Sequence, residues 1–126
     1  MDDNSYRDYC LGQLASFAEL VAQRAEKASE GDPIRGLAEG FATIATGTDL
    51  YERGPGLVAL LFASVPDLAP VFPRELIWFM GGDCLHYMPD EELTVFQQLD
   101  EMRAEAAARG DVLDYHAEKA KLLKLQ

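Results

Sequence analysis

The chain has 126 residues, 48% of them hydrophobic and 26% charged, the balance of an ordinary globular protein large enough for one modest core. It carries 22 acids against 11 bases, a net charge of −11, spread as −6 over residues 1–72 (11 acids, 5 bases) and −5 over 73–126 (11 acids, 6 bases). That balance argues against binding nucleic acid or an anionic membrane surface, since both need clustered Lys and Arg, and solubility is the plain reading of it.

A first helix is expected from Ser5 to Ser29, because Tyr6, Cys10, Leu14, Phe17 and Val21 recur at steps of three or four. Gly31 ends it. Asp32-Pro33 restarts the chain, with Asp as N-cap and Pro at the first helical position. Ile34, Leu37, Phe41 and Ile44 form the second stripe, closed by Gly47. Residues 47–56 read as a loop, on the strength of Thr48, Asp49 and the Gly54-Pro55-Gly56 triplet.

Leu57–Val65 is expected to be a third, buried helix, and Pro66, Pro70 and Pro73 forbid a long helix between them. The fourth helix starts near Pro73. Its five apolar residues, Leu76 to Met80, leave no solvent side, so it reads as a central element. Whether it runs straight or breaks at Gly81-Gly82 is left open by the sequence. Pro89 stops it and opens a fifth helix, with Asp90, Glu91 and Glu92 at the positive end of the dipole and Leu93, Phe96, Leu99, Met102 and Ala106 as its stripe. Gly110 closes that helix. Asp111 is expected to cap a sixth, using Val112, Tyr115 and Leu122.

No segment alternates with period two between turn signals. The expected fold is therefore all-α, a helical bundle of about five to six helices in a single domain over residues 1–126. The apolar runs of seven (57–63) and five (76–80) fall far short of the roughly 20 residues that span a bilayer. The acidic start, Met1-Asp2-Asp3-Asn4, is no signal peptide. Two cysteines, Cys10 and Cys84, make no disulfide framework, and the cytoplasm is the expected setting.

Asp83 and His86 stand out as a candidate site. At a spacing of three they are neighbours on a helix, and helical phase puts Asp83 with Leu76, Met80 and Tyr87, facing the core. A buried Asp beside a His orients an imidazole for acid–base work or ligation. Tyr87 and Trp78 supply aromatic walls, and Glu91 a further carboxylate. These five are the candidate ligand-binding residues. The competing reading is structural: the carboxylate caps a backbone amide or holds the ring, and the aromatic group is core. No metal site is expected. Carboxylate-bridged dimetal bundles need two Glu-x-x-His pairs, and Cys84 with His86 falls short of the four ligands of a zinc site. Cys84 reads as a small buried apolar residue. No dinucleotide, phosphate-loop or nucleophile-elbow motif is present, so no catalytic residue and no cofactor is assigned.

The run from Phe72 to Phe79, followed by Gly81-Gly82-Asp83-Cys84-Leu85-His86-Tyr87-Met88-Pro89-Asp90-Glu91-Glu92, resembles a family of short, uncharacterised proteins of pseudomonads and related bacteria. The likeness covers the middle third of the chain firmly and the rest loosely. It implies a bacterial cytoplasmic protein and brings no established activity or functional residues. The expected function is a non-enzymatic interaction or regulatory protein that forms a homodimer, with a further protein partner possible. Segments 57–63 and 76–80 are apolar enough to call for a self-interface. The alternative is a small-molecule or metal-binding helical protein using Asp83 and His86.

Overall fold

The structure, a computed structural model, describes residues 1–124. Among these residues every regular element is helical, and the fold is all-α. The α-helices are α1 (Asp3–Glu26), α2 (Pro33–Ile44), α3 (Leu50–Ser64), α4 (Arg74–Met80), α5 (Asp90–Ala108) and α6 (Tyr115–Lys124). Two 3-10 segments, Pro66–Val71 and Gly82–Tyr87, flank α4. The packing falls into two compact units. One is Cys10–Tyr87; the other joins Met1–Tyr9 to the chain from Met88 on.

In the Cys10–Tyr87 unit the predicted stripes are the core. Cys10, Leu14, Phe17 and Val21 of α1 are buried, as are Ile34, Leu37, Phe41 and Ile44 of α2. Asp32 caps α2 as expected, its carboxylate accepting from the Ile34 amide at 3.0 Å. Phe17 stacks edge-on against both Phe41 and Phe72, and Phe62 against Phe72 and Tyr87. Edge-to-face geometry of this kind adds to the hydrophobic stabilisation of buried rings.

The segment read as a loop is different. α3 begins at Leu50, so Gly54-Pro55-Gly56 lies inside a helix. Pro55 has no N–H for the Tyr51 carbonyl, but Tyr51 is 55% exposed and water is at hand. What holds the helix there is burial: Leu50, Gly54, Val58 and Leu61 all face inward. Gly54 is required by contact. A Cβ there would come within 2.9 Å of the Met80 sulfur. α3 packs against α2, α4 and both 3-10 segments, which makes it the central helix of this unit.

α4 is only seven residues long. Leu76, Ile77 and Met80 are buried and Trp78 and Phe79 half-buried, so none of the five apolar residues faces water, as read from the sequence. The helix then breaks at Gly81, whose φ of 65° and ψ of −148° suit glycine alone. Asp83 and His86 therefore stand on the separate 3-10 segment rather than on a continuing helix.

In the other unit, Asp2 caps α1: its carboxylate accepts from the Ser5 amide at 2.7 Å, and that bond holds its pKa below the usual range. α5 buries Val95, Phe96, Leu99 and Ala106. Gly110 ends it at φ 74°, with the Asp111 amide donating back to the Ala106 carbonyl. The cap of α6 is Asp114, which accepts from the Ala117 amide at 3.3 Å; Asp111 instead takes Arg109 Nε at 3.3 Å. Val112, expected in the stripe, is 76% exposed. α6 is held by Tyr115, which is buried and rings against Tyr6 and Tyr9. Lys119 Nζ donates to the Tyr9 hydroxyl at 3.0 Å. Arg103 donates to Asp3 at 2.6 Å and Asp100 at 2.9 Å while lying 4.2 Å over the Tyr6 ring. Burial alone would lower the Arg103 pKa; the two carboxylates more than reverse that, so it stays a cation.

Candidate functional site

The 3-10 segment Gly82–Tyr87 brings Asp83, His86 and Tyr87 together around a small pocket of about 140 Å³. Pro55, Gly56 and Ala59 of α3 form its other wall, and Cys84 its floor. The pairing expected between Asp83 and His86 takes another form. The imidazole Nδ1–H donates to the backbone carbonyl of Asp83, not to its carboxylate. A carbonyl only accepts, so Nδ1 carries a proton. Both side chains are exposed. The expectation that Asp83 faces the core is thus corrected: the turn at Gly81 rotates it out of the phase that Leu76 and Met80 follow. The His86 ring lies against Tyr87 at 4.0 Å between centroids, and Tyr87 against Phe62.

Trp78, on α4, does not line this pocket. Glu91 stands in the first turn of α5, exposed, and belongs to the other unit. Cys84 is 1% exposed, and its thiol donates to the Gly81 carbonyl at 2.9 Å. Burial pushes its pKa up, the opposite of what an attacking thiolate needs. Among the described residues, no group of three or more His, Cys, Asp or Glu is placed to hold a metal ion. The arrangement thus holds one imidazole fixed on a short turn, with no aligned base–nucleophile pair.

Two surface features of the Cys10–Tyr87 unit went unnoticed in the sequence. One is an apolar groove of about 280 Å³ lined by Gln13, Ser16, Phe17, Leu20, Val71 and Pro73. Leu20 is 37% and Val71 49% exposed. Leu20 sits 60 degrees off Phe17 in helical phase, at the stripe's edge, and was the available signal. Val71 lies between two prolines, where no periodicity can be read. The other feature is a larger depression of about 430 Å³, where the ends of α1, α2 and α3 meet the start of the Pro66–Val71 segment. Arg24 closes one side of it with an ion pair to Asp67 at 2.5 Å, and the guanidinium holds the Asp67 carboxyl below the usual carboxylate range.

No helix of the described residues is long and apolar enough to cross a membrane. A model of the PA2817-like family matches residues 4–126, so the chain belongs to the PA2817-like family. The likeness read from the middle third of the sequence therefore extends over nearly its whole length. No curated protein and no solved structure matches it.

Proposed function

We propose that this PA2817-like chain is a non-enzymatic interaction protein of the bacterial cytoplasm that pairs with a second copy of itself as a single folded domain. The observation that carries this reading is the groove between α1 and the Pro66–Val71 segment. Its six lining side chains include no charge. Every copy carries −11, so two copies repel wherever charged faces approach. An uncharged apolar strip is where like-charged chains meet at least electrostatic cost, and exposed Leu20 and Val71 gain from leaving water. A two-fold pair sets the same strip against itself. A stable pair needs roughly 1,000 Å² of buried surface in all, so the strip would be the centre of a larger contact. Light scattering on Leu20→Glu tests this. The variant should elute as the 13.9 kDa monomer while keeping wild-type helicity. If Leu20→Glu pairs as well as the wild type, the strip is not the interface.

The alternative, a small ligand held at Asp83 and His86, rests on the 140 Å³ pocket beside them. That volume is below the several hundred Å³ usual for ligand sites, and both residues face water. The His86→Ala variant should therefore keep all measurable binding properties of the wild type.

A further inference from the structure

The 430 Å³ depression has a polar composition that the function above leaves unused. Its rim carries two cations, Arg24 and Lys27, and two anions, Asp32 and Asp67. The rim is therefore neutral overall and carries both signs. Its floor is apolar: Ile34 is 4% and Val65 9% exposed. The volume lies in the range of small-ligand sites.

The rim is also held in shape. Arg24 ties α1 to the Pro66–Val71 segment through Asp67, 43 positions away. Arg35 donates to the carbonyls of Ser29 at 3.2 Å and Ala28 at 2.6 Å, fixing the turn that leads into α2. Asp32 is fixed by its capping bond. Within this frame three solvent-exposed polar groups have bonding capacity left among the described residues. The Lys27 ammonium has no ion pair, the Ser64 hydroxyl has no bond, and Asp32 uses only Oδ1. A cation, an anion and a hydroxyl thus surround an apolar floor.

We propose that this depression binds a small zwitterion, an α-amino acid with a short apolar side chain. Its carboxylate lies on Lys27 and the Ser64 hydroxyl, its ammonium on Asp32, and its side chain on Ile34 and Val65. The Arg24–Asp67 pair forms one wall. A simple anion or a simple amine meets both signs on this neutral rim, so neither is favoured by net charge. Only a ligand bearing both signs is matched at both ends. The inference is independent of self-pairing, because it uses other residues and the monomer contains them all.

The test is an NMR titration of ¹⁵N-labelled protein with L-valine, with isovalerate as carboxylate-only probe, isobutylamine as amine-only probe, and inorganic phosphate. L-valine should shift the amides of Lys27, Ile34 and Ser64 saturably. Each of the other probes should bind at least about tenfold more weakly. Lys27→Ala should weaken valine binding by about tenfold or more, and so should Asp32→Asn. Asp32→Asn keeps an N-cap residue of equal strength while removing the charge, so α2 stays folded. Absence of saturable shifts with L-valine overturns the proposal. So does isovalerate or phosphate binding as tightly as L-valine, or either variant binding like the wild type.

Discussion

Gly54 and Gly40 both stand where a Cβ would meet a neighbour at less than 3.0 Å, yet their replacement should differ in effect. At Gly40 the obstacle is Leu57 Cδ2 at 2.6 Å, the end of a half-buried side chain that can swing aside. At Gly54 it is the sulfur of Met80, which is only 4% exposed. Alanine gains about 1 kcal/mol of helix propensity at either position. Overpacking a tight contact costs about 1–3 kcal/mol. Gly40→Ala should therefore be near neutral in urea denaturation, and Gly54→Ala should lose about 1 kcal/mol. Equal losses would mean that Leu57 is as tightly held as Met80. Cys84 gives a pH-dependent prediction. Its folded pKa is raised, so the folded state holds the proton more tightly than the unfolded one. That stabilisation is complete below the ordinary thiol value of 9.0 and is lost as pH rises through the folded value. Denaturation curves above pH 9 should thus show wild type losing more stability than Cys84→Ala, and parallel losses would contradict it.

At the scale of the element, α6 depends on one side chain. Tyr115 is 2% exposed, and the rest of the helix is mostly at the surface. Tyr115→Ala should cost about 3 kcal/mol, the usual loss for a large buried ring, and melt the ten residues of α6. Far-UV circular dichroism reads this as a drop in helicity, and an unchanged spectrum would show that Lys119 and the Met1 ammonium, which donates to the Leu113 carbonyl, hold α6 without the ring. The elements that were legible in the sequence are those with long apolar stripes. α1, α2 and α5 show their buried faces at steps of three and four, and Asp32-Pro33 announces its own cap. The failures have local causes. Gly54-Pro55-Gly56 has the composition of a turn, but buried Leu50 and the Met80 contact override it. Asp111 and Asp114 are both plausible caps three residues apart, and only the bond to the Ala117 amide distinguishes them. The candidate site was half legible. Asp83, His86 and Tyr87 do share one turn, but their direction depended on whether Gly81 continues the helix. Glycine permits both outcomes, so helical phase could not decide where Asp83 points.

For the whole molecule, charge is the governing property. Pairing of a chain at −11 through an uncharged strip would have an unusual salt response. Screening shortens the reach of repulsion between copies, to about 10 Å at 0.1 M salt. It also takes nothing from an apolar contact, whose driving force is the removal of surface from water. An interface built on ion pairs behaves in the opposite sense and weakens with salt. The zwitterion site also belongs here, since a neutral dipolar ligand is less repelled by the field of the whole chain than an anion is.

Sedimentation equilibrium of the wild-type protein, over a range of concentrations and from low to high sodium chloride, tests the pairing most directly. A monomer–dimer equilibrium between 13.9 kDa and twice that mass, tightening as salt rises, is the expected result. A single 13.9 kDa species at every concentration and salt, or a dimer that dissociates as salt rises, would contradict it.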